Sequence, residues 1–380
     1  MTHHTTIAED ERPDLSGRRR MRRYHPWRKV ISLRPENRGK QITDSLPDVN
    51  VHVETLDLAS EVDPLTAEGI PFFQNFGAFM ARTEFPKWRR HGQFWRYFRG
   101  IFLPAFVANR LQPLQNRFAV RRSPTVAGGA LKEAIRRQAR EHGFALCGFT
   151  HVDRRFIAQG ADEKFPYDTA IVLGIDMDRD LLDQMPSAPG RLVDFEAYIA
   201  AGRQVLNLAQ AIRRMGYRCV ARPAFEGWVK YVPHAVNAGL AELGANGLAL
   251  TPQFGPRQRW CMISLDAVLA VDEPADFGLS RYCEACRLCV HGCPGRAISE
   301  EKLWWRGVLK HKLNAVRCWP YFVKFDGCAI CLKVCPLHRF GYEACMEAFQ
   351  RDGDILGKPR GVDRFLARRA ARRARDGSDT

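Results

Sequence analysis

Eight of the twelve cysteines in this 380-residue chain lie in one stretch, and their spacing constrains the fold more than any other feature. The first group reads Cys283-x2-Cys286-x2-Cys289-x3-Cys293-Pro294, and the second reads Cys318-x9-Cys328-x2-Cys331-x3-Cys335-Pro336. A cubane cluster needs four thiolates converging on its corners. A tight C-x2-C-x2-C turn supplies three, and the fourth comes from the remote Cys-Pro of the other group. The spacing therefore assigns Cys283, Cys286, Cys289 and Cys335 to one 4Fe-4S cluster, and Cys293, Cys318, Cys328 and Cys331 to a second. Paired C-x2-C sequences also make structural zinc sites, but zinc needs neither the third closely spaced cysteine nor the twin Cys-Pro endings. Cys147, Cys219, Cys261 and Cys345 fall outside the pattern and read as ordinary cysteines. Thiols kept for metal imply a reducing, cytoplasmic setting without disulfides.

The net charge of +16 and a pI near 9.5 imply attraction to anions: nucleic acid, a phospholipid surface, a phosphate-bearing cofactor or an acidic partner. Residues 1–45 read as a basic, flexible arm. The arginine run from Arg18 to Arg23 is followed by Tyr24-His25-Pro26-Trp27 rather than an apolar stretch, so no export signal is expected. No run is long and apolar enough for a transmembrane segment. Residues 46–129 form a basic, aromatic region of unassigned role. From Arg82 to Arg122 it carries ten Arg and Lys residues and a single acid, Glu84, interleaved with rings. Such a mixture suits nucleic acid, a membrane surface or a partner. Phe94 to Leu111 reads as an amphipathic helix, packed on its own domain or lying in peripheral contact with a membrane.

From residue 130 an α/β pattern emerges. Leu131–His142 has helical spacing and Phe144–Val152 reads as a strand. Thr169–Met177 is a β-branched run suited to a buried strand, and Asp194–Met215 is helical. A shorter helix is expected over Pro233–Glu242 and a strand over Trp260–Val271. The pattern predicts a layered core over 130–275, a cysteine-bearing domain over 276–346 and a basic tail over 347–380.

Two clusters form a wire, and a wire needs a terminus. The run Ala238–Cys261 (AGLAELGANGLALTPQFGPRQRWC), the strand Thr169–Asp178 (TAIVLGIDMD) and the two Cys-Pro groups resemble the catalytic core of corrinoid-dependent reductive dehalogenases. The related epoxyqueuosine reductases share that architecture. The resemblance covers about residues 130 to 345. It implies an α+β fold, with a nitroreductase-like α/β core binding base-off cobalamin beside a ferredoxin-like domain holding two 4Fe-4S clusters. Gly239, Gly244, Gly247 and Gly255 would then let backbone approach the corrin or its tail. In the family a tyrosine assisted by a cation supplies the proton. The best matches are Tyr198 and Arg259, with Arg257 second. In epoxyqueuosine reductases an aspartate plays the acid, and Asp194 or Glu196 stands near that position. The function implied is reductive dehalogenation of a small-molecule substrate, fed by an external electron donor such as a ferredoxin, flavodoxin or reductase. A tRNA-modifying reductase and a non-catalytic electron-transfer protein are the alternatives.

Overall fold

The computed structural model describes residue 89, residues 92–119 and residues 129–358, apart from 158–160, 188–189, 225–227, 306–307, 315–316, 319–320 and 323–326. The arm expected over 1–45, most of the region 46–129 and the arginines from Arg364 onward lie outside the described residues. Helix α1 (Phe94–Tyr97) runs through a π-helical turn (Phe98–Phe102) into α2 (Leu103–Phe118), and α3 spans Gly129–Glu141. Next come β1 (Leu146–His151), β2 (Thr169–Asp176), the short helix α4 (Arg179–Asp183), the long helix α5 (Leu192–Arg214) and β3 (Cys219–Arg222). Helix α6 (Tyr231–Asn237) leads into the small hairpin β4 (Glu242–Leu243) and β5 (Ala249–Leu250), and then into β6 (Gln258–Leu265).

Four strands form the central sheet in the order β1-β2-β6-β3, and every neighbouring pair is antiparallel. The apolar run of β2 sits in the middle because both of its faces are covered. Ile171, Leu173 and Ile175 point into a core shared with α5 through Val205, Leu208 and Ile212. Val172 points the other way, onto Ala235 and Ala238 at α6 and onto Trp260. Each such fully buried Leu or Ile contributes about 2 kcal/mol.

Two elements end earlier than their periodicity predicts. The helix expected to reach Glu242 stops at Asn237, and Gly239 follows with φ of +66°. A side chain at Gly239 would strike the Glu273 carbonyl oxygen, leaving its Cβ 2.3 Å away, so the tight exit of α6 requires glycine. The strand expected to reach Val271 stops at Leu265. Beyond it Asp272 anchors the chain, accepting from Lys132 (2.6 Å), Arg136 (2.9 Å) and the Phe149 amide (2.9 Å).

His234, fully buried on α6, makes two hydrogen bonds that fix its tautomer. Nδ1 donates to the Lys230 carbonyl at 2.8 Å, and Nε2 accepts from the Asp153 amide at 3.0 Å. Burial lowers its pKa below the ordinary 6.5, against the opposing pull of the Lys230 carbonyl. A depressed folded-state pKa adds stability above the unfolded value, and that stability is lost as pH falls through the folded value. At pH 6.5, where an ordinary histidine is half protonated, this ring is expected to remain neutral. Carbon-13 NMR of labelled histidine checks this, and a half-protonated signal assigned to His234 would contradict it.

The cysteine-bearing unit contains α7 (Leu279–Cys286), α8 (Leu288–Gly292), the hairpin β7 (Ile298–Trp305) and β8 (Val308–Leu313), α9 (Ile330–Lys333), α10 (Pro336–Phe340) and α11 (Tyr342–Asp352). The division expected at 346/347 falls inside α11. Its inner residues Cys345 and Met346 join one apolar cluster with Leu279, Tyr282, Leu337 and Ile355, so the unit continues to the end of the described chain.

Candidate cluster and active site

The four thiols of Cys283, Cys286, Cys289 and Cys335 line one cavity, together with Ala245, Asn246 and Leu337. Helix α7 delivers the first two. Its N-terminus is capped from a distance by the Glu242 carboxylate, which accepts from the amides of Phe277, Leu279 (3.2 Å) and Ser280 (2.8 Å). Cys335 joins them as the residue before α10, with Pro336 in the first helical turn. Cys293, Cys318, Cys328 and Cys331 are one another's electrostatic neighbours in a second group. Among the described residues no three His, Cys, Asp or Glu side chains converge on a point fit for a single metal ion. The thiols stand around a space instead.

Backbone N–H groups point at several of these sulfurs: those of Ala245 at Cys283, Leu288 at Cys286, Leu337 and His338 at Cys335, and Ala297 at Cys293 (3.3 Å). Burial pushes Cys283, Cys318 and Cys331 up to about 12, so unliganded thiols here would hold their protons. A bound iron cluster supplies the positive charge that a thiolate needs, and the N–H donors stabilise the ligated sulfurs.

The glycine-rich string supports these thiols. Gly244 and Gly247 close the β4–β5 turn through a 2.9 Å backbone bond, which carries Ala245 and Asn246 to the cavity wall; Gly247 faces Leu313 of β8. Gly255, with φ of +58°, lies against α10: a Cβ there would sit 3.0 Å from Leu337 Cβ and 3.2 Å from the His338 nitrogen. Gly255→Val is therefore expected to cost about 2–3 kcal/mol and to loosen α10 behind Cys335. Urea unfolding and iron retention after gel filtration would check this, with retention below that of the parent chain.

The core grips the cysteine unit by further bonds around the end of β2. His338 Nε2 lies 2.7 Å from Asp183, and Lys333 donates to the carbonyls of Asp183 (2.7 Å) and Met185 (2.6 Å). At the same end, antiparallel register sets Arg259 of β6 opposite Ile175, and its guanidinium reaches α5. It donates to Tyr198 Oη at 3.1 Å, stacks 4.3 Å from the centre of the phenol ring and pairs with Asp194 one turn earlier. It also touches Met177 Sδ at 3.4 Å. Burial opposes its charge, but Tyr198 and Asp194 outweigh burial and hold the Arg259 pKa above its ordinary value. Its Nε is buried with no hydrogen-bond partner among the described residues.

Asp194 meets a second cation, Arg191, at 3.6 Å. Arg191 lies over Phe322 (4.2 Å) and against Gly327, beside Cys328. Glu196 pairs with Arg96 at the surface (2.8 Å), and Arg257 with Asp176 (3.6 Å). The two residues nominated from the sequence, Tyr198 and Arg259, meet in the structure, whereas sequence reasoning missed Asp194 as the group that pairs with Arg259. It also gave no signal for Lys310 on β8, whose pKa burial and then neighbouring Lys230 draw down to about 8.

A tetrachloroethene reductive dehalogenase of Sulfurospirillum multivorans is 31% identical over 178 residues, which cover 44% of this chain and 35% of that protein. An epoxyqueuosine reductase of Cyclobacterium marinum is 30% identical over 138 residues, covering 32% of this chain and 41% of that protein. The solved structure of the catabolic reductive dehalogenase NpRdhA matches with a TM-score of 0.54 at 25% identity, over 64% of this chain and 38% of that one. No protein-family model matches the chain. The chain thus spans less than half the length of each of these three relatives.

Proposed function

From its similarity to reductive dehalogenases and epoxyqueuosine reductases, we propose that this chain is a corrinoid- and iron-sulfur-dependent reductase of the dehalogenase kind. In this reading residues 130–275 are a nitroreductase-like core for base-off cobalamin, and the cysteine unit is a ferredoxin-like carrier of two 4Fe-4S clusters. Electrons from an external ferredoxin, flavodoxin or reductase reach a small organic substrate. The observation that carries the proposal is the Tyr198–Arg259 pair, standing at the sheet end onto which the eight-thiol unit packs.

The thiol set fits the clusters, with eight thiols in two fours, and at the core Arg259 has a buried N–H without a partner among the described residues, near the half-exposed phenol of Tyr198. When bound, the clusters and corrinoid supply electrons one at a time to the substrate. The protein's own residues handle the proton. Tyr198 holds it at Oη, within reach of a substrate entering beside the ring. Arg259 places a fixed positive charge against the oxygen that would become a phenolate once the proton leaves. Asp194, one turn before Tyr198 on α5, orients Arg259 through its other terminal nitrogen, and Arg191 orients Asp194.

Asp194 also stands where the epoxyqueuosine reading would place its acid. Its carboxylate is committed to two guanidiniums, which favours Tyr198 as the proton carrier. Anaerobic purification with added cobalamin, followed by iron, sulfide and cobalt analysis and paramagnetic resonance, tests the class. Two reduced clusters coupled to cobalt, with halide released from a haloaromatic under strong reductant, are expected. Zinc without acid-labile sulfide would overturn the proposal. Conversion of an epoxyqueuosine-bearing tRNA without halide release would move it to the second reading.

A further inference from the structure

The segment α1 to α2 is an amphipathic rod turned inside out. Its inward face is apolar at the start, where Tyr97 and Ile101 are buried, and polar in the last turns of α2. Gln112 Oε1 accepts from the Ala221 amide at 2.6 Å while its Nε2 donates to the Ala221 carbonyl at 3.1 Å. Asn116 Oδ1 accepts from the Cys219 amide at 3.2 Å and from Arg213 at 3.0 Å. Asn109 Oδ1 accepts from Arg222 at 2.6 Å. These side chains finish the outer edge of β3, which pairs with β6 on its other side, so the rod replaces a missing strand partner. Gln112 and Asn116 are accordingly 2% and 8% exposed.

The outward face is apolar. Trp95 (63%), Leu103 (43%), Phe106 (62%), Leu111 (42%), Leu114 (48%) and Phe118 (78%) stand exposed along it, spaced three to five residues apart through α2. Over Phe94–Phe118 this makes a ridge about 37 Å long at the helical rise. Arg99 lies 5.8 Å from the Trp95 ring centre and Arg110 lies 5.4 Å from that of Phe106, with Arg117 beyond. No Asp or Glu occurs between Gly92 and Ala119.

We propose that this ridge docks on the surface of an anionic phospholipid bilayer, its rings and leucines among the upper acyl chains and its arginines among the headgroups. Three observations select this occupant. The aliphatic part of the ridge offers nothing to a nucleic acid, which would use the rings and cations but leave the leucines in water. A second copy laid across it would set Arg99, Arg110 and Arg117 against one another, while the nearby surface carboxylate of Glu196 is already paired with Arg96. And no helix among the described residues is long and apolar enough to cross a membrane, so contact would be along the surface.

Flotation of the cluster-loaded full chain with vesicles, under anaerobic conditions, tests the proposal. The protein is expected to float with phosphatidylcholine vesicles containing about a third phosphatidylglycerol, to stay behind with phosphatidylcholine alone, and to be released by high salt. The double variant Phe106→Asp/Leu114→Asp, with cluster absorbance unchanged as the sign of intact folding, is expected to partition about tenfold more weakly or worse. Arg99→Gln/Arg110→Gln/Arg117→Gln is expected to lose the preference for anionic lipid. Equal flotation of the double variant would overturn the proposal, as it would if another part of the chain covered the ridge. So would a dimer in solution that the double variant dissociates, or protection of the ridge from hydrogen exchange by tRNA but not by vesicles.

Discussion

Cys335→Ser is expected to halve the iron and acid-labile sulfide bound per chain, from about eight atoms of each to about four. The reason is the crossing of ligands. Cys335 comes from the second cysteine group, yet it shares a cavity with Cys283, Cys286 and Cys289 of the first. Its loss should therefore remove the cluster of the first group and spare Cys293, Cys318, Cys328 and Cys331. Anaerobic iron and sulfide analysis with paramagnetic resonance distinguishes this from uncrossed ligation, in which Cys293→Ser would empty the first group's cluster instead. Reduction of the substrate should fall to background in Cys335→Ser, because a wire with one station missing cannot deliver electrons. Cys219→Ser and Cys261→Ser serve as controls. Both thiols are fully buried in the core and contact backbone carbonyls of α5, so both variants should keep their full iron.

Tyr198→Phe is the second large effect. The phenol hydroxyl accepts from Arg259, and phenylalanine keeps the ring over which that guanidinium stacks, so the substitution is expected to leave the fold and cofactor capacity in place. Turnover is expected to fall by about 10²–10⁴ while the cluster and cobalt signals stay at parent levels. Arg259→Gln should lower turnover by about 10². Asp194→Asn keeps the size but removes the charge that orients Arg259, and should fall between the parent and Arg259→Gln. Stopped-flow turnover alongside resonance spectra separates these outcomes. A Tyr198→Phe variant with parental turnover would reassign the proton donor.

The contrast between these two sites follows how far apart their parts lie along the chain. Three thiols of the first set, Cys283, Cys286 and Cys289, fall within a single local run, so a candidate ligand set could be proposed from residue numbers alone. Tyr198 and Arg259 are 61 residues apart and meet because β2 and β6 pair in one register and α5 packs across them. Resemblance to a family could nominate that pair, but nothing in the periodicity of α5 distinguishes Tyr198 from a plain core residue. The glycine string was legible as a place of close backbone approach. Which surface approaches was not: Gly239 meets the Glu273 carbonyl and Gly255 meets α10.

The same division holds for the fold. Local patterning alone indicated β1, β2 and β6 of the core, the long helix α5 and the eight-cysteine unit, because each depends on periodicity or on residue spacing over a few turns; the short edge strand β3 carried no such signal. The antiparallel order of the sheet, the Glu242 cap on α7 and the orientation of the rod at α2 were decided by tertiary structure. In each case a polar group found its partner far along the chain: Glu242 at the amides before Ser280, Gln112 and Asn116 at the open edge of β3. The stripe of α2 was visible as an alternation of apolar and polar residues. Only the unsatisfied backbone of an edge strand could decide that its polar side would be the one turned inward.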